Sequence, residues 1–476
     1  MKAVDYDTTL AAAARRSREW LSSYEQRPVG PPVDAETLWS RRPSTEVPEQ
    51  GLPAESVVDE LGNWIEPGLS ALGSGRYLAL VTGGVLPAAL AADWLVSAWD
   101  QNTTFAQHAP ATVVVEHLAG RWILDLLGLP PDAAVGFPTG AQTANTICLA
   151  AARNAVLSAH GVEVEQEGIA AGPPITVIGS AEQHVSIDRS VRLLGLGTNA
   201  VRLVPTGHDG SMDPEACRQA LNEVTGPVIV CSQAGNVNGG AIDPMLDIGA
   251  AVAERRTREP DIWWHVDGAF GLWVRAGRRA RHLLDGVEQA DSWTTDAHKW
   301  LNTPYDCGIA IVGQRERLAR AVGVRASYLP AEGQIGDPID TVTEFSRRAR
   351  GVPVWAALRS LGRAGVAALV DDACQRAEEL AKALGAVEGL AVRGQQINQL
   401  VVEAVDGSGQ PDEVGTRELL SWVVADGRCY PSATVWQGRA SIRLSVSNWR
   451  TDAADVAVVH DVFSDAVRDL GLGRAG

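Results

Sequence analysis

Lysine is almost missing from this chain: of 41 lysines and arginines, only Lys2, Lys299 and Lys382 are lysine. Arginine stays protonated and delocalised, so nearly all the cationic side chains are unfit to attack a carbonyl or form an imine. The six cysteines, Cys148, Cys217, Cys231, Cys307, Cys374 and Cys429, show no C-x-x-C or Cys/His ligand spacing. That spacing argues against a zinc module and for buried free thiols. Positive charge is in deficit, with a formal net charge of −17. Such a surface repels nucleic-acid backbones and anionic membranes at long range, so neither is expected as a partner. A long unbroken apolar run is also lacking. The nearest approach, YLALVTGGVLPAALAADWLVSAW, is interrupted by Gly83, Gly84, Pro87 and Asp93, which argues against a membrane span. The opening MKAVDYDTTL carries Asp5 and Asp7 where an export signal would be basic and then apolar, and a cytoplasmic location is the expectation. No G-x-G-x-x-G follows the first strand, which weighs against a plain dinucleotide-binding fold. There is no internal repeat, and no low-complexity tract beyond alanine richness.

What is present is length and apolar content: 476 residues, 45% of them hydrophobic, enough for a large core in two or three domains. Short helical patterns with proline-rich joints such as RPVGPPVD fill the first stretch and predict a helical arm over 1–90. Next, ITVIGS, AVRLVPT, PVIVCSQAG, DIWWHVD and DSWTTD read as strands. Helical segments such as PEACRQALNEV and MLDIGAAVAERRTRE separate them. This alternation predicts a mainly parallel sheet over 91–355, with ligands gathered beyond the carboxyl ends of its strands. Past Pro353 a long helical pattern, then QLVVEAV and ASIRLSVS, predict a smaller α+β domain over 356–476.

The strand ends carry the chemistry. DIWWHVD closes on Asp267, a carboxylate behind an apolar run that needs a cationic or proton-donating partner. Another strand ends on Asp296, followed by His298 and Lys299. A surface amine and a helix-capping aspartate would give the same spacing, so this pair alone leaves both readings open. GFPTGAQTAN is a small-residue loop entering a helix from Thr143, suited to an anion such as phosphate. SAEQHVSIDRS puts His184 just past a strand, where its ring could lie over a ligand or simply make structural hydrogen bonds. Pyridoxal phosphate needs a lysine for its Schiff base, an acid at its pyridine nitrogen, an anion site and a flat partner over its ring. Lys299, Asp267, the 139–143 loop and His184 fill those four roles.

Together with GRYLALVTGGVLPAALAADWL, QAGNVNGGAIDP, TTDAHKW, PYDCG, SRRARGVPVWAALRSLG and RLSVSNW, these motifs make residues 60–460 resemble the group II pyridoxal-phosphate-dependent decarboxylases. That family acts on aromatic amino acids, histidine, glutamate and diaminobutyrate, and the chain is most similar to a bacterial branch with tryptophan-decarboxylase-like members. The resemblance implies an α/β fold-type-I, aspartate-aminotransferase-like architecture. It would have a mainly parallel seven-stranded sheet, an N-terminal arm and a smaller C-terminal domain, in a homodimer with active sites at the subunit interface. By motif it implies that Lys299 is the Schiff-base lysine, Asp267 the partner of the ring nitrogen and His184 the stacking residue. His298 flanks the lysine, Ala141 and Gln142 match phosphate-binding positions, and Asn236 stands where relatives have a threonine facing the cofactor. Leu80, Val81 and Thr82 match a segment lining the substrate pocket.

The implied reaction is decarboxylation of an aromatic or bulky apolar L-amino acid to an amine. One departure bears on the product. AEGQIGDPIDTVTEF, residues 331–345, has no tyrosine where many relatives carry the one that protonates the carbanion, and Tyr328 matches a different position. An aldehyde-forming outcome, another fold-type-I reaction such as aminotransfer or aldol cleavage, and a catalytically silent dimer are the alternatives. His184 and Tyr305 are the substitute proton donors.

Overall fold

The computed structural model describes residues 6–324 and 335–473. The five runs named above form β2 (Thr176–Ser180), β3 (Val201–Val204), β4 (Val228–Gln233), β5 (Ile262–Asp267) and β6 (Ser292–Asp296). Two further strands complete the sheet, β1 (Ala134–Gly136) and β7 (Gly308–Val312). The seven strands lie in the order β1-β7-β6-β5-β4-β2-β3. β7 runs antiparallel to both its neighbours, and every other pairing is parallel. The expected mainly parallel, seven-stranded sheet is therefore present. β8 (Leu390–Gln396), β9 (Gln399–Ala404), β10 (Ser432–Trp436) and β11 (Arg439–Ser445) make a separate antiparallel sheet in the order β10-β11-β9-β8. The helix Gly351–Gly385 leads into it and breaks helical geometry at Gly362, where φ is 62°.

Strand periodicity sorts the large sheet into two faces. Val228, Val230, Ile262, Trp264, Val266 and Trp293 pack into one core, whereas Ile229, Cys231 and Trp263 join the other beside Ala144, Ile147 and Cys148 of the helix Ala141–Ser158. By the same alternation Gln233, His265, Asp267, Thr294 and Asp296 share the face covered by that helix. It starts at Ala141, two residues before the Thr143 start read from the sequence. The earlier start brings the Ala141 N–H to the Asp296 carboxylate, at 2.6 Å.

Arg347 fixes the layer beneath. Its guanidinium meets the Glu116 carboxylate through two bonds of 2.7 Å, both side chains being buried. All six cysteines are buried free thiols. Among the described residues, no helix is long and apolar enough to cross a membrane, and no group of His, Cys, Asp or Glu is arranged to hold a metal ion.

Candidate active site

A cavity of about 370 Å3 opens over the carboxyl ends of β4, β5 and β6. Its wall includes Leu80, Val81, Ala141, Gln142, His184, Asp267, His298 and Lys299, residues far apart in the chain. Asn236 and Thr82 are not part of this wall. The expectation that Asn236 faces the cofactor meets a different geometry: its Oδ1 accepts from the N–H groups of Asn238 and Gly239, and its Nδ2 donates to Gly210 O. Its carboxamide thus closes its own loop. Thr82 is buried.

Lys299 follows β6 directly, and its Nζ lies 2.9 Å from Asp296 Oδ2. Asp296 is buried and therefore needs its full set of partners. Ala141 N–H and Lys299 supply two, and His298 Nε2 stands at 3.6 Å. The Cys307 backbone N–H donates to His298 Nδ1, which leaves the ring proton on Nε2, toward Asp296. Burial pushes the His298 imidazolium down.

Asp267 is oriented from behind. Asn145 Nδ2 donates to its Oδ2 at 3.0 Å, the Ala269 N–H to its Oδ1 at 3.1 Å, and the Ser186 hydroxyl lies 3.4 Å from Oδ2. Asn145 is held in turn by His265, whose Nε2 is 3.0 Å from Asn145 Oδ1 and whose Nδ1 is 2.9 Å from Ser292 Oγ. Burial pushes the His265 imidazolium down to about 4. The neutral ring therefore donates from Nε2 to the Asn145 oxygen, and that fixes which end of the amide faces Asp267.

His184 caps the helix Val185–Leu193, its Nδ1 accepting the Ser186 backbone N–H at 3.2 Å. A backbone N–H can only donate, so the neutral ring carries its proton on Nε2. Burial pushes this imidazolium down as well, partly offset by Asp267. Gln142 ties the first turn of the helix Ala141–Ser158 to Ser190 Oγ at 3.0 Å. Asp296 already holds the Ala141 N–H; the next N–H groups of the first turn, at Gln142 and Thr143, have no partner within the helix and can receive an anion.

The rim is held by Asn302. Its Oδ1 accepts from Gly84 N–H at 2.6 Å and Trp449 N–H at 3.1 Å, and its Nδ2 donates to Ser447 O at 2.9 Å. A Cβ on Gly83 would sit 2.0 Å from Lys299 O, so only glycine lets the 80–84 segment approach this closely. Leu80 and Val81 follow with φ of 57° and 56°. Tyr305 lies against His298, ring centroids 4.4 Å apart. Tyr328 and residues 331–334 fall outside the described residues.

The wall residues that the sequence did not single out include Gln233 and Arg443. Arg443 on β11 is 7% exposed, and burial pulls its guanidinium below the ordinary value. Its Nη1 donates to Val237 O, and no carboxylate among the described residues pairs with it. The alternation in ASIRLSVS, with Ile442 and Leu444 facing the core, holds the signal that would have found it.

The residues present fit pyridoxal phosphate: an amine, a buried carboxylate, a helix amino terminus and an imidazole converge on one cavity. Comparison with known proteins agrees. The pyridoxal-dependent decarboxylase conserved domain matches residues 39–401. L-2,4-diaminobutyrate decarboxylase of Rhizobium meliloti (strain 1021) is 28% identical over 441 residues, covering 90% of this chain and 85% of the relative. Tryptophan decarboxylase 1 of Oryza sativa subsp. japonica is 27% identical over 476 residues, covering 94% and 91%. The crystal structure of Oryza sativa TDC with PLP and tryptamine superposes with a TM-score of 0.90 at 23% identity over 99% of each chain, which shows the shared fold-type-I architecture. The chain belongs to the pyridoxal-dependent decarboxylases, carboxy-lyases of amino acid metabolism whose cofactor is pyridoxal 5'-phosphate.

Proposed function

We propose that this protein converts an aromatic or otherwise bulky apolar L-amino acid to the corresponding amine and carbon dioxide, with Lys299 carrying the cofactor. The observation that carries this reading is the composition of one wall. Beside Lys299 and Asp267 it is apolar at Leu80, Val81, Val237 and Phe270, and beyond the lysine and two histidines its basic residue is Arg443. A single guanidinium without a carboxylate suits a substrate with one carboxylate and an apolar side chain.

In this reading Asp267 faces the ring nitrogen, Ala141 and Gln142 hold the phosphate at the helix terminus, and His184 lies against the ring. When bound, pyridoxal phosphate supplies an electron sink for the pair left as carbon dioxide departs. Asp296 receives the ammonium of Lys299, and His298 supports Asp296 from behind. Arg443 orients the substrate carboxylate. His184 Nε2–H is the protein's own donor toward the cavity, the role left open where residues 331–345 contain no tyrosine. That same lack of tyrosine favours aldehyde formation as the second reading.

The second subunit of a homodimer is assigned to the arm over 1–90 and the neighbouring helix Pro87–Trp99. There Leu10, Leu61, Trp94, Leu95 and Trp99 are exposed apolar side chains, the kind of surface a second subunit would cover.

Incubating the cofactor-loaded protein with each common L-amino acid and L-2,4-diaminobutyrate, while measuring carbon dioxide, amine, aldehyde, ammonia and peroxide, tests both substrate and product. Amine from tryptophan, tyrosine or phenylalanine is expected. Turnover confined to diaminobutyrate or glutamate overturns the substrate class, and aldehyde with peroxide replaces the product.

A further inference from the structure

Lys299, the pair Leu80 and Val81, and Arg443 come from three distant segments of the chain, yet all line one cavity. The stretches that follow each of them meet at Asn302. This residue is 0% exposed and ends the turn after Lys299, its N–H donating to Lys299 O at 3.1 Å. Its backbone is left-handed, with φ of 56°, a conformation that asparagine tolerates and most other side chains resist. Turned this way, the carboxamide uses both its acceptor and both its donor positions. Oδ1 takes the N–H groups of Gly84 and Trp449, while Nδ2 donates to Ser447 O and, at 2.7 Å, to Trp300 O. The Asn302 carbonyl accepts from Leu86 N–H at 2.9 Å.

Each bond ends on a segment that carries a wall residue. Gly84 and Leu86 continue the stretch bearing Leu80 and Val81, and Ser447 and Trp449 follow β11, which bears Arg443. These two segments are also laced to each other, Ser445 N–H to Leu78 O at 2.8 Å and Trp449 Nε1–H to Val85 O at 3.2 Å. That lacing leaves their height above Lys299 undetermined. Asn302 determines it, because it belongs to the lysine loop and grips both. A substrate held by its carboxylate at Arg443 and reacting at Lys299 has room for a side chain only as far as the apolar rim allows. The reach of that side chain is therefore set by where the rim is pinned.

We infer that Asn302 is a positioning residue for substrate selectivity, fixing the rim and Arg443 relative to Lys299 and so the size of the side chain the site accepts. It is not part of the cavity wall and acts only through Leu80, Val81 and Arg443. The inference rests on the roles proposed above for Arg443 and the rim. The residue type matters at every bond. Glycine would keep the left-handed backbone and lose all the side-chain bonds. Aspartate would keep the bonds to Gly84 and Trp449 but turn an oxygen toward the carbonyls of Trp300 and Ser447.

The test measures kcat and KM for the aromatic amino acid that wild type turns over fastest and for alanine. It uses cofactor-loaded, full-length wild type, Asn302→Gly, Asn302→Asp, Leu80→Gly and the double variant Asn302→Gly with Leu80→Gly. In Asn302→Gly the preference for the aromatic substrate, as a ratio of kcat/KM values, should fall about tenfold, chiefly through KM. In the Leu80→Gly background the same substitution should change that ratio by less than about twofold, because the contact it positions is gone. Asn302→Asp, of the same shape, should lose part of the preference. The visible band and pyridoxal phosphate affinity should stay as in wild type. An equal fall in kcat/KM for both substrates, effects that add fully with those of Leu80→Gly, or a loss confined to cofactor binding overturns the inference. Failure of both Asn302 variants to fold overturns it too, since the residue would then serve folding. A wild type that turns over no apolar amino acid is a different result, because it removes the underlying substrate reading and the inference with it.

Discussion

The floor of the cavity and its rim treat their side chains in opposite ways. On the floor, Asp267, Asp296, Asn145 and His265 are all 5% exposed or less, and each is bonded to a neighbour that is itself held. At the rim, Leu80 is 63% and Tyr305 57% exposed, and Leu80 and Val81 hold positive φ values with little packed around Leu80. Charge can be aimed accurately only where water is excluded and neighbours are fixed, so the chemical groups belong to the floor. Shape selection needs contact that a substrate or a second subunit brings, so the rim is left open.

Four measurements would break or sharpen that contrast, and the greatest effect should come from its centre. Lys299→Ala should abolish turnover and remove the visible band of the bound cofactor; a retained band would place the covalent link elsewhere. Asp267→Asn keeps the shape and removes the charge. Its kcat should fall by about 10^2–10^3, and a kcat within tenfold of wild type would deny the floor its electrostatic role.

Removing His265 acts one step further back. Between about 6.5, the free value, and about 4, its value in the fold, the unfolded chain binds a proton that the folded chain does not. Stability is therefore full above the upper value and declines as pH falls through this window, by about 3 kcal/mol if the whole shift is expressed. Urea unfolding of His265→Gln should show a flatter pH dependence over that window, and an unchanged slope would free His265 from the network behind Asp267. At the rim, Leu80→Gly relieves a left-handed leucine costing about 1 kcal/mol. Its melting temperature should hold or rise slightly while KM for an apolar substrate increases severalfold. A collapse of kcat instead would make the rim part of the chemistry.

Much of the floor was legible because strands bury alternate residues and end where ligands gather. ITVIGS, DIWWHVD and DSWTTD became β2, β5 and β6, and their ends carry or precede His184, Asp267 and Lys299. β1 was not named because three residues carry too little periodicity. β7 was passed over although GIAIV is apolar throughout, since its antiparallel direction follows from no local signal. The two-residue error at the start of the helix Ala141–Ser158 has a tertiary cause: Asp296, on a distant strand, bonds the first N–H. Asn236 was expected at the cofactor by position in a motif, yet the glycines after it let the loop fold back onto its oxygen.

The sequence alone determined which residues could do chemistry, because side-chain reactivity and strand alternation are local properties: one lysine beside a histidine after a strand, one aspartate behind an apolar run, a glycine-led helix. Only the tertiary structure decided which polar atoms are already satisfied. Asn236 and Gln233 are both amides near the same strand end, and nothing local tells them apart. Packing closes the first upon its own backbone and leaves the second without a partner for its Nε2, because hydrogen-bond satisfaction depends on atoms brought together from across the chain.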